Sequence, residues 1–326
     1  MDDVRWFASN PYTELVVPTL REHGLTIATD GDRPARVALA MSGLTAAAAW
    51  RFARRRAARL VVYLWDLPPV GTGRGRPDPV WWVGGSFLRL PRPWGGYRRR
   101  RGYYSRLRYI AARADAVWVP STLTRETVAE RFAVRAERVP YCYDSNRFVP
   151  RPSAAGSGGS APPTLLTVSR LKPHKNQAAV LEAAALLGRA LQVRLIGRGP
   201  EQRSLEALAA RLRVPCTVET EADDLTVTLA YHEAAVAVCP SRFEGFGLTP
   251  LEAVASAVPV VASDIPPHRE FVGAAARLVP PDDVPALASA IGAALASAPA
   301  DPSLVAALTI PAAATRLLAS LQPFLG

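Results

Sequence analysis

Short apolar runs rich in Val, Ile and Leu alternate along this chain with longer runs whose apolar residues recur every three or four positions. The short runs predict buried strands, and the longer runs predict helices with one apolar face. In the first half, the predicted strands cover 4–9, 26–29, 37–41, 60–64 and 116–120, and the predicted helices cover 11–23, 45–59 and 122–132. Because strands and helices alternate, this pattern predicts a parallel sheet covered on both faces.

The same alternation begins again in the second half of the chain. Its predicted strands are 164–168, 193–196, 216–219, 235–239 and 258–262, and its predicted helices are 177–187, 201–212, 225–233, 250–256 and 310–325. Residues 151–163 separate the halves with Pro, Gly, Ser and Ala, a composition typical of linkers. The pattern therefore predicts an α/β protein with two doubly wound domains, in which ligands bind at the carboxyl ends of the strands.

Four other features bear on the class of protein. A stretch over 68–102, rich in Pro, Gly, Trp and Arg, predicts a long irregular loop. The longest apolar run, 37–50, is shorter than the roughly 20 residues of a membrane-spanning helix, so we expect no spanning segment. The start lacks the features of a signal peptide, and three scattered cysteines predict neither a disulfide framework nor a metal site.

Composition and charge distinguish the two halves. The length of 326 residues corresponds to about two domains, and an apolar share of 49% is ordinary for a globular chain. The net charge of +11 raises the question of a nucleic-acid or membrane partner. Residues 1–150 carry 25 Arg and 13 acidic residues, whereas 151–326 carry 14 basic and 15 acidic ones. Only the first half is strongly basic, and the chain's two lysines, Lys172 and Lys175, both lie in the second.

The loop after the predicted strand 164–168 carries cations in front of a helix. It reads Ser169-Arg170-Leu171-Lys172-Pro173-His174-Lys175-Asn176, with Asn176 as the expected helix cap. Cations here face the positive end of the helix dipole, an unfavourable placement of up to about 1 kcal/mol that an anion would relieve. A solvated basic loop is the alternative. Lysines in an otherwise Arg-only chain favour phosphate oxygens as the partner.

The loop after the predicted strand 235–239 contains two glycines and leads into a helix. It reads Ser241-Arg242-Phe243-Glu244-Gly245-Phe246-Gly247-Leu248-Thr249-Pro250-Leu251-Glu252. Its glycines let the backbone approach a ligand, and a loop running into a helix N-terminus is a ready anion site. Glu252 has a second interpretation, because Thr249 and Glu252 form a capping box with Pro250 at the first helical position. For Glu244 the alternative is a solvated surface residue.

Together these segments resemble a known family. In order along about 164–292 they are Ser169-Arg170-(x4)-Lys175, Gly197-Arg198-Gly199-Pro200 and Glu244-(x7)-Glu252. They are similar to the nucleotide-sugar domain of retaining glycosyltransferases of family 4. That family has the GT-B fold, two doubly wound Rossmann-like domains facing a cleft. The resemblance implies an acceptor-side domain over 1–155, a nucleotide-sugar-binding domain over 156–305, and a terminal helix over 306–326 that can cross back to the first domain.

The resemblance also implies a role for each matching residue. Arg170 and Lys175 would hold the donor diphosphate and stabilise the leaving nucleotide, with Ser169 and Gly199 beside them. Glu244 would contact the hydroxyls of the donor sugar, and Glu252 would bind the ribose. The backbone that cradles sugar and phosphate would be that of Gly245, Phe246, Gly247, Leu248 and Thr249. Family members need no metal and no cofactor besides the UDP- or GDP-sugar, because fixed cations stabilise the leaving group.

The first half departs from the family pattern in two places. The stretch where a glycine-rich loop is expected reads Ser9-Asn10-Pro11-Tyr12, and Trp65 stands before Asp66 where the family has a histidine. Asp66, at a strand end, is our candidate for orienting the acceptor. With Glu244, Arg170 and Lys175 it makes up the expected catalytic set. A capping or turn role is the alternative for Asp66. We expect no general base among His174, His232 and His268.

The most basic segment lies in the first half. Residues 89–108 contain eight Arg, four aromatic residues and no acid, with Arg98, Arg99, Arg100 and Arg101 consecutive. Such a segment suits nucleic acid, an anionic membrane surface, or simple solvation. Enzymes of this type often act on lipid-linked or phosphorylated glycans. We therefore expect these four arginines to contact an acceptor or a membrane, and we expect no nucleic acid.

The resemblance thus implies a metal-independent, retaining hexosyltransferase that uses a UDP- or GDP-sugar. Its expected acceptor is a glycan, lipid-linked or otherwise anionic, and its expected location is the cytoplasm with peripheral contact to the inner membrane surface. Two alternatives stay open, a GT-B sugar-nucleotide epimerase or hydrolase, and an Arg-rich nucleic-acid-binding protein. The sequence does not name the base, the sugar or the acceptor.

Overall fold

The computed structural model describes residues 1–8, 11–65, 67, 93–150, 162–188 and 190–326, with the backbone alone over 93–101. The chain forms two compact units. The first unit contains Met1–Tyr141 and Ile310–Gly326, and the second contains Cys142–Thr309. The second unit therefore begins nine residues before the linker expected from composition, and the chain returns to the first unit for its last helix. Most of that linker, 151–161, lies outside the described residues.

The first unit is built on a six-stranded parallel sheet with the order β2-β1-β3-β4-β5-β6. Its strands are β1 (Asp2–Phe7), β2 (Ile27–Ala28), β3 (Ala35–Ala40), β4 (Arg59–Tyr63), β5 (Ala116–Val119) and β6 (Glu137–Arg138). Its helices are α1 (Val17–Glu22), α2 (Ala46–Arg56), α3 (Pro93–Ala111) and α4 (Thr122–Phe132), and a 3-10 turn covers Pro11–Glu14. The central strands are buried on both faces, as their continuous apolar runs predict.

Local chemistry explains where α4 begins and why α3 can form. Ser121 caps the start of α4, because its side chain accepts a hydrogen bond from the backbone N–H of Thr124. The prediction of an irregular loop over 68–102 is wrong for 93–102, because these residues belong to helix α3. Arg is a strong helix former and Pro93 is tolerated at a helix start, so this composition is compatible with a helix. Residues 68–92 lie outside the described residues.

The second unit has another six-stranded parallel sheet, in the order β12-β11-β10-β7-β8-β9. Its strands are β7 (Thr164–Val168), β8 (Gln192–Ile196), β9 (Cys216–Glu219), β10 (Val236–Cys239), β11 (Val260–Ser263) and β12 (Ala276–Val279). Its helices are α5 (Gln177–Leu187), α6 (Gln202–Leu212), α7 (Asp224–Glu233), α8 (Leu248–Ala255), α9 (Pro266–Val272) and α10 (Val284–Ala294), with 3-10 turns at Pro173–Lys175 and Pro302–Leu308. The chain builds outward from β7 to β9 and then returns to place β10 on the other side of β7. The strand order therefore reverses between β7 and β10.

The last helix, α11 (Ile310–Leu325), packs on the first unit against α1 and β3. By length and composition, the helical stretch Pro302–Leu325 is the one among the described residues that could cross a membrane, contrary to our expectation of none. Within it, Thr309 is extended at φ −70° and ψ 163°, so the regular helix has only 16 residues. Its buried residues Ile310, Leu317 and Leu321 give the stretch its apolar character, as in any helix packed on a core.

Candidate functional site

Two loops of the second unit meet where the strand order reverses. Strand β7 leads into residues 169–176, and its neighbour β10 leads into residues 240–247, both from carboxyl ends. The backbone N–H of Arg242 donates to the carbonyl of His174 at 2.8 Å, and its Nη1 donates to the carbonyl of Pro173 at 2.6 Å. The two cation- and glutamate-bearing loops predicted from the sequence are therefore neighbours at the switch point of this sheet, the place where such sheets bind ligands.

A buried ion pair joins these loops. Lys175 Nζ donates to Glu244 Oε1 at 2.5 Å, and the two side chains are only 16% and 14% exposed. Burial raises the pKa of the Glu244 carboxyl, but the charge of Lys175 and hydrogen bonds from Lys175 and Ser241 lower it, so that the pKa lies below its ordinary value. Glu244 is thus an ionised carboxylate that can accept hydrogen bonds from hydroxyl groups. Its alternative interpretation as a solvated surface residue is wrong.

Helix α8 begins two residues earlier than predicted. Gly247 occupies its cap position at φ +90°, and no side chain in the described part of the chain caps it. Thr249 is the second helical residue, and its hydroxyl donates to Cys239 Sγ at 3.8 Å, so the capping-box interpretation of Thr249 and Glu252 is wrong. Glycine tolerates the left-handed conformation in which the chain turns into the helix. The N-terminus of α8 consequently points its first N–H groups out of a glycine loop.

Glu252 is held by a residue that no sequence motif indicated. The residue is 7% exposed, and its Oε2 accepts a hydrogen bond from the hydroxyl of Tyr231 at 3.1 Å. Tyr231 lies on α7 and is itself buried. A tyrosine in an apolar helix pattern gave no signal of this contact, because its partner lies 21 residues further along the chain.

His268 lies beneath the glycine loop. It is 1% exposed, and its Nδ1 lies 2.9 Å from the carbonyl of Ser263, so Nδ1 carries the proton and donates. Its Nε2 is buried without a hydrogen-bond partner among the described residues. A Cβ added at Gly247 would come within 3.0 Å of the His268 ring. Burial lowers the pKa of His268 despite the nearby Glu244 carboxylate, so the ring is neutral at pH 7 and Nε2 is an acceptor.

The loop of Ser169 to Asn176 is held by side chains that do not cap the helix. Asn176 stands at the cap position of α5, but at φ +58° it makes no capping bond, so that prediction is wrong. Its Nδ2 donates instead to Asp282 Oδ1 at 3.3 Å, and Arg242 Nε donates to the same oxygen at 2.7 Å. Gln177 Nε2 donates to Ser169 Oγ at 2.7 Å and to the carbonyl of Arg170 at 2.9 Å. A polar Gln177 in an otherwise apolar helix start was the available signal.

The glycines at 197 and 199 bring a third loop against the first. Gly197 has φ +144°, and a Cβ there would lie 1.9 Å from the carbonyl oxygen of Ser169. A Cβ at Gly199 would lie 2.0 Å from the carbonyl oxygen of Leu171. The Leu171 N–H donates to the carbonyl of Arg198 at 2.9 Å. Gly199 is therefore placed next to the predicted diphosphate loop, and packing alone already requires glycine there.

The remaining predicted residues fall into two groups. Phe246 is buried and packs edge-to-face on Phe271 with ring centroids 4.6 Å apart, so its side chain serves the core while its backbone belongs to the loop. Arg170 is exposed and Leu248 half-buried, both at the same edge of the sheet. Asp66 lies outside the described residues, and so do the side chains of the four consecutive arginines, whose backbone forms part of α3: Arg98, Arg99, Arg100 and Arg101.

Comparisons with known proteins agree with this arrangement. A GDP-mannose-dependent alpha-(1-6)-phosphatidylinositol monomannoside mannosyltransferase of Mycolicibacterium smegmatis is 32% identical over 202 residues, 56% of this chain and 53% of that protein. An MMP alpha-(1->4)-mannosyltransferase of Mycolicibacterium hassiacum is 31% identical over 202 residues, 58% of this chain and 47% of that protein. The structure of Anabaena HepE in complex with UDP and glucose matches with a TM-score of 0.67 at 15% identity, covering 99% of this chain and 97% of that chain.

These likenesses show the fold of the chain and a family that part of it matches. Two parallel-sheet, Rossmann-like domains with such structural neighbours are the GT-B glycosyltransferase fold, which confirms the predicted fold class. Residues 162–297 match the family described as Glycosyl transferases group 1. The resemblance seen in the sequence is thereby confirmed. The chain spans about half the length of the curated relatives it matches, 53% and 47% for the two named here.

Proposed function

We propose that this protein transfers a hexose from a nucleotide diphosphate sugar to an acceptor, with retention of configuration and without a metal ion. The observation that carries the proposal is the buried pair of Lys175 and Glu244 at the switch point of the second unit. In this pair, a cation that would hold a diphosphate lies beside a carboxylate that would accept hydrogen bonds from sugar hydroxyls. The match of residues 162–297 to the family Glycosyl transferases group 1 supports the same activity.

The geometry suggests how the donor would be held. Lys175 has three N–H donors and uses one on Glu244, which leaves donors for phosphate oxygens. Arg170 adds a guanidinium from the same loop, and the N-terminus of α8 supplies backbone N–H groups and a positive dipole end. Glu244 would accept hydrogen bonds from the sugar, and Glu252, oriented by Tyr231, would accept them from the ribose.

These residues would lower the barrier by charge stabilisation. Breaking the bond between the anomeric carbon and the phosphate oxygen leaves negative charge on the diphosphate and positive charge on the sugar. Fixed cations at Lys175 and Arg170 stabilise the first, and the Glu244 carboxylate favours the second. The departing phosphate oxygen can take the acceptor proton on the same face, which yields retention and requires no protein nucleophile.

GDP-mannose is the first donor to test. Two relatives are named as mannosyltransferases, one of them as GDP-mannose-dependent, whereas the HepE structure contains UDP and glucose. We propose a phosphorylated or lipid-linked glycan as acceptor and a cytoplasmic enzyme with peripheral membrane contact. The basic composition of the first half supports the acceptor and membrane proposals.

A thermal-shift panel of GDP, UDP, ADP and their sugars tests the donor site. A ligand at 100 times its dissociation constant adds about 2.7 kcal/mol of stability. We expect the shift to disappear in Lys175→Met and to persist in Arg203→Gln, an exposed position on α6. A shift that survives Lys175→Met would contradict the proposed site, and salt-dependent RNA or DNA binding without any nucleotide shift would favour the nucleic-acid alternative.

Transfer itself is tested with radiolabelled donor and membrane extract. Labelled product that requires the extract supports a transferase, whereas free epimer or free sugar regardless of extract supports the epimerase or hydrolase. The one-bond coupling constant between C1 and H1 of the transferred sugar shows whether configuration is retained. Activity that persists in EDTA would support metal independence.

A further inference from the structure

The first unit contains a surface cavity of about 360 Å³ that the proposed donor site does not use. It is bounded by β1, by the loop between β2 and β3, and by α2. Its arginines are Arg5, Arg51 and Arg55, and its aromatic residues are Phe7 and Phe52. The volume lies within the range of about 300–1,000 Å³ that is typical of small-molecule sites.

Helical spacing places the α2 residues on one face. Ala48, Arg51, Phe52 and Arg55 are three or four positions apart, so their side chains are directed to the same side of the helix. Phe52 is buried and packs edge-to-face on Phe7, with ring centroids 5.7 Å apart. The cavity thus has an apolar floor, and Arg51 and Arg55 stand exposed at its rim.

Arg5 brings a third guanidinium from the sheet. Its central carbon lies 4.8 Å from the ring centroid of Phe7, and Nη1 donates to the carbonyl of Ala28 at 3.1 Å. Nε is buried without a partner among the described residues. Burial lowers the pKa of this guanidinium, although Asp30, Asp32 and Asp2 act in the opposite direction. A partly desolvated cation with an unmet donor interacts strongly with an incoming anion.

One acidic residue, Asp32, is among those that line the cavity. Asp32 is hydrogen-bonded to Arg56 at 2.8 Å and lies 3.6 Å from Arg55. No ion pair within the described ranges joins Arg51 to an acid. Among the residues that line the cavity, three guanidiniums therefore face one carboxylate, which is shared with Arg56, while Asp2 and Asp30 act on Arg5 from outside the lining.

We propose that this cavity binds a phosphate ester. Arg51 and Arg55 would hold the phosphate oxygens at the rim, Arg5 would contribute from the floor, and Phe7 and Phe52 would lie beneath the organic group. The chemistry fits a soluble sugar phosphate or the phosphorylated headgroup of a lipid. The proposal does not rest on the donor site, because every residue that lines the cavity belongs to the first unit.

Binding of mannose 6-phosphate to the full chain, measured by calorimetry with neutral mannose for comparison, tests the soluble source. Arg51→Gln and Arg55→Gln should each weaken binding at least tenfold. Arg54→Gln is the matched control, because Arg54 lies on the same helix against Trp50, with its guanidinium 5.1 Å from the ring, and does not line the cavity. All measurements are repeated in the Lys175→Met background to subtract binding at the second unit.

Flotation with vesicles of phosphatidylcholine, with and without phosphatidylinositol 4-phosphate, tests the lipid source. Phosphoinositide-dependent flotation that is lost in Arg51→Gln and kept in Arg54→Gln identifies a headgroup, and sugar-phosphate binding with no flotation identifies a soluble ligand. The proposal is overturned if wild-type protein binds neither probe saturably, or if Arg54→Gln reduces binding as much as the two cavity variants, which would indicate only a general charge effect.

Discussion

The pair of Lys175 and Glu244 offers the most direct test of the site, because its two charges are buried together. We consider Lys175→Met, Glu244→Gln and the double variant. Each single change leaves the other side chain charged and buried, without the opposite charge that offsets the cost of its desolvation. The double variant removes both charges at once.

The burial of the pair sets the expected magnitude. Removing one partner of a buried ion pair costs about 3–5 kcal/mol, and side chains that are 16% and 14% exposed belong near the lower limit. We expect each single variant to lose about 3 kcal/mol and the double variant to lose about 3 rather than 6 kcal/mol. The exposed pair of Arg198 and Glu221, at 68% and 79%, is the control, and its coupling should stay within about 1 kcal/mol.

The distribution of tryptophan makes the assay selective. All seven tryptophans lie within residues 6–118, so urea unfolding followed by Trp fluorescence reports on the first unit. Far-UV circular dichroism reports on both units. We expect the variants to shift the dichroism transition of the second unit and to leave the fluorescence transition unchanged.

Additivity would refute this reasoning. If the losses of the two single variants sum in the double variant, the side chains do not compensate one another in the folded state. An equal shift of the Trp transition would show that the substitutions act on the whole chain instead of on the second unit.

We predict three further outcomes for the second unit, and in each the free energy of unfolding is measured by circular dichroism. Gly197→Ala places a Cβ 1.9 Å from the Ser169 carbonyl oxygen at φ +144°, so we expect a loss above about 3 kcal/mol, and a neutral result would contradict the described loop contact. Tyr231→Phe leaves the buried Glu252 carboxylate without its hydroxyl donor and should cost about 1–3 kcal/mol, with weaker nucleotide binding in the thermal-shift panel. The folded-state pKa of Glu244 lies below its ordinary 4.5, so its contribution to the free energy of unfolding is complete above pH 4.5 and is lost as the pH falls through the folded pKa. Glu244→Gln should therefore weaken the fall of the unfolding free energy with pH in this acid range. An unchanged pH dependence would argue against the pair.

Much of the second unit could be predicted from local pattern. Strand β7, helix α5 and strand β9 have the predicted bounds, because a buried strand needs only a short apolar run and a covering helix needs only its apolar periodicity. The start of α8 was mispredicted for a physical reason. Thr249 and Glu252 satisfy the local capping rule, but Gly247 adopts the left-handed conformation over the buried ring of His268, and the helix begins there.

What the sequence determined by itself was the alternation of strands and helices, and with it the two loops at strand ends that carry Lys175 and Glu244. Only the tertiary structure decided that these residues form a buried pair, that Tyr231 holds Glu252, and that His268 lies under Gly247. Lys175 and Glu244 are 69 residues apart, and their loops become neighbours because β10 returns past β8 and β9 to pair with β7. A contact across that separation leaves no periodic trace in the chain, since periodicity records only which face of its own element a residue occupies.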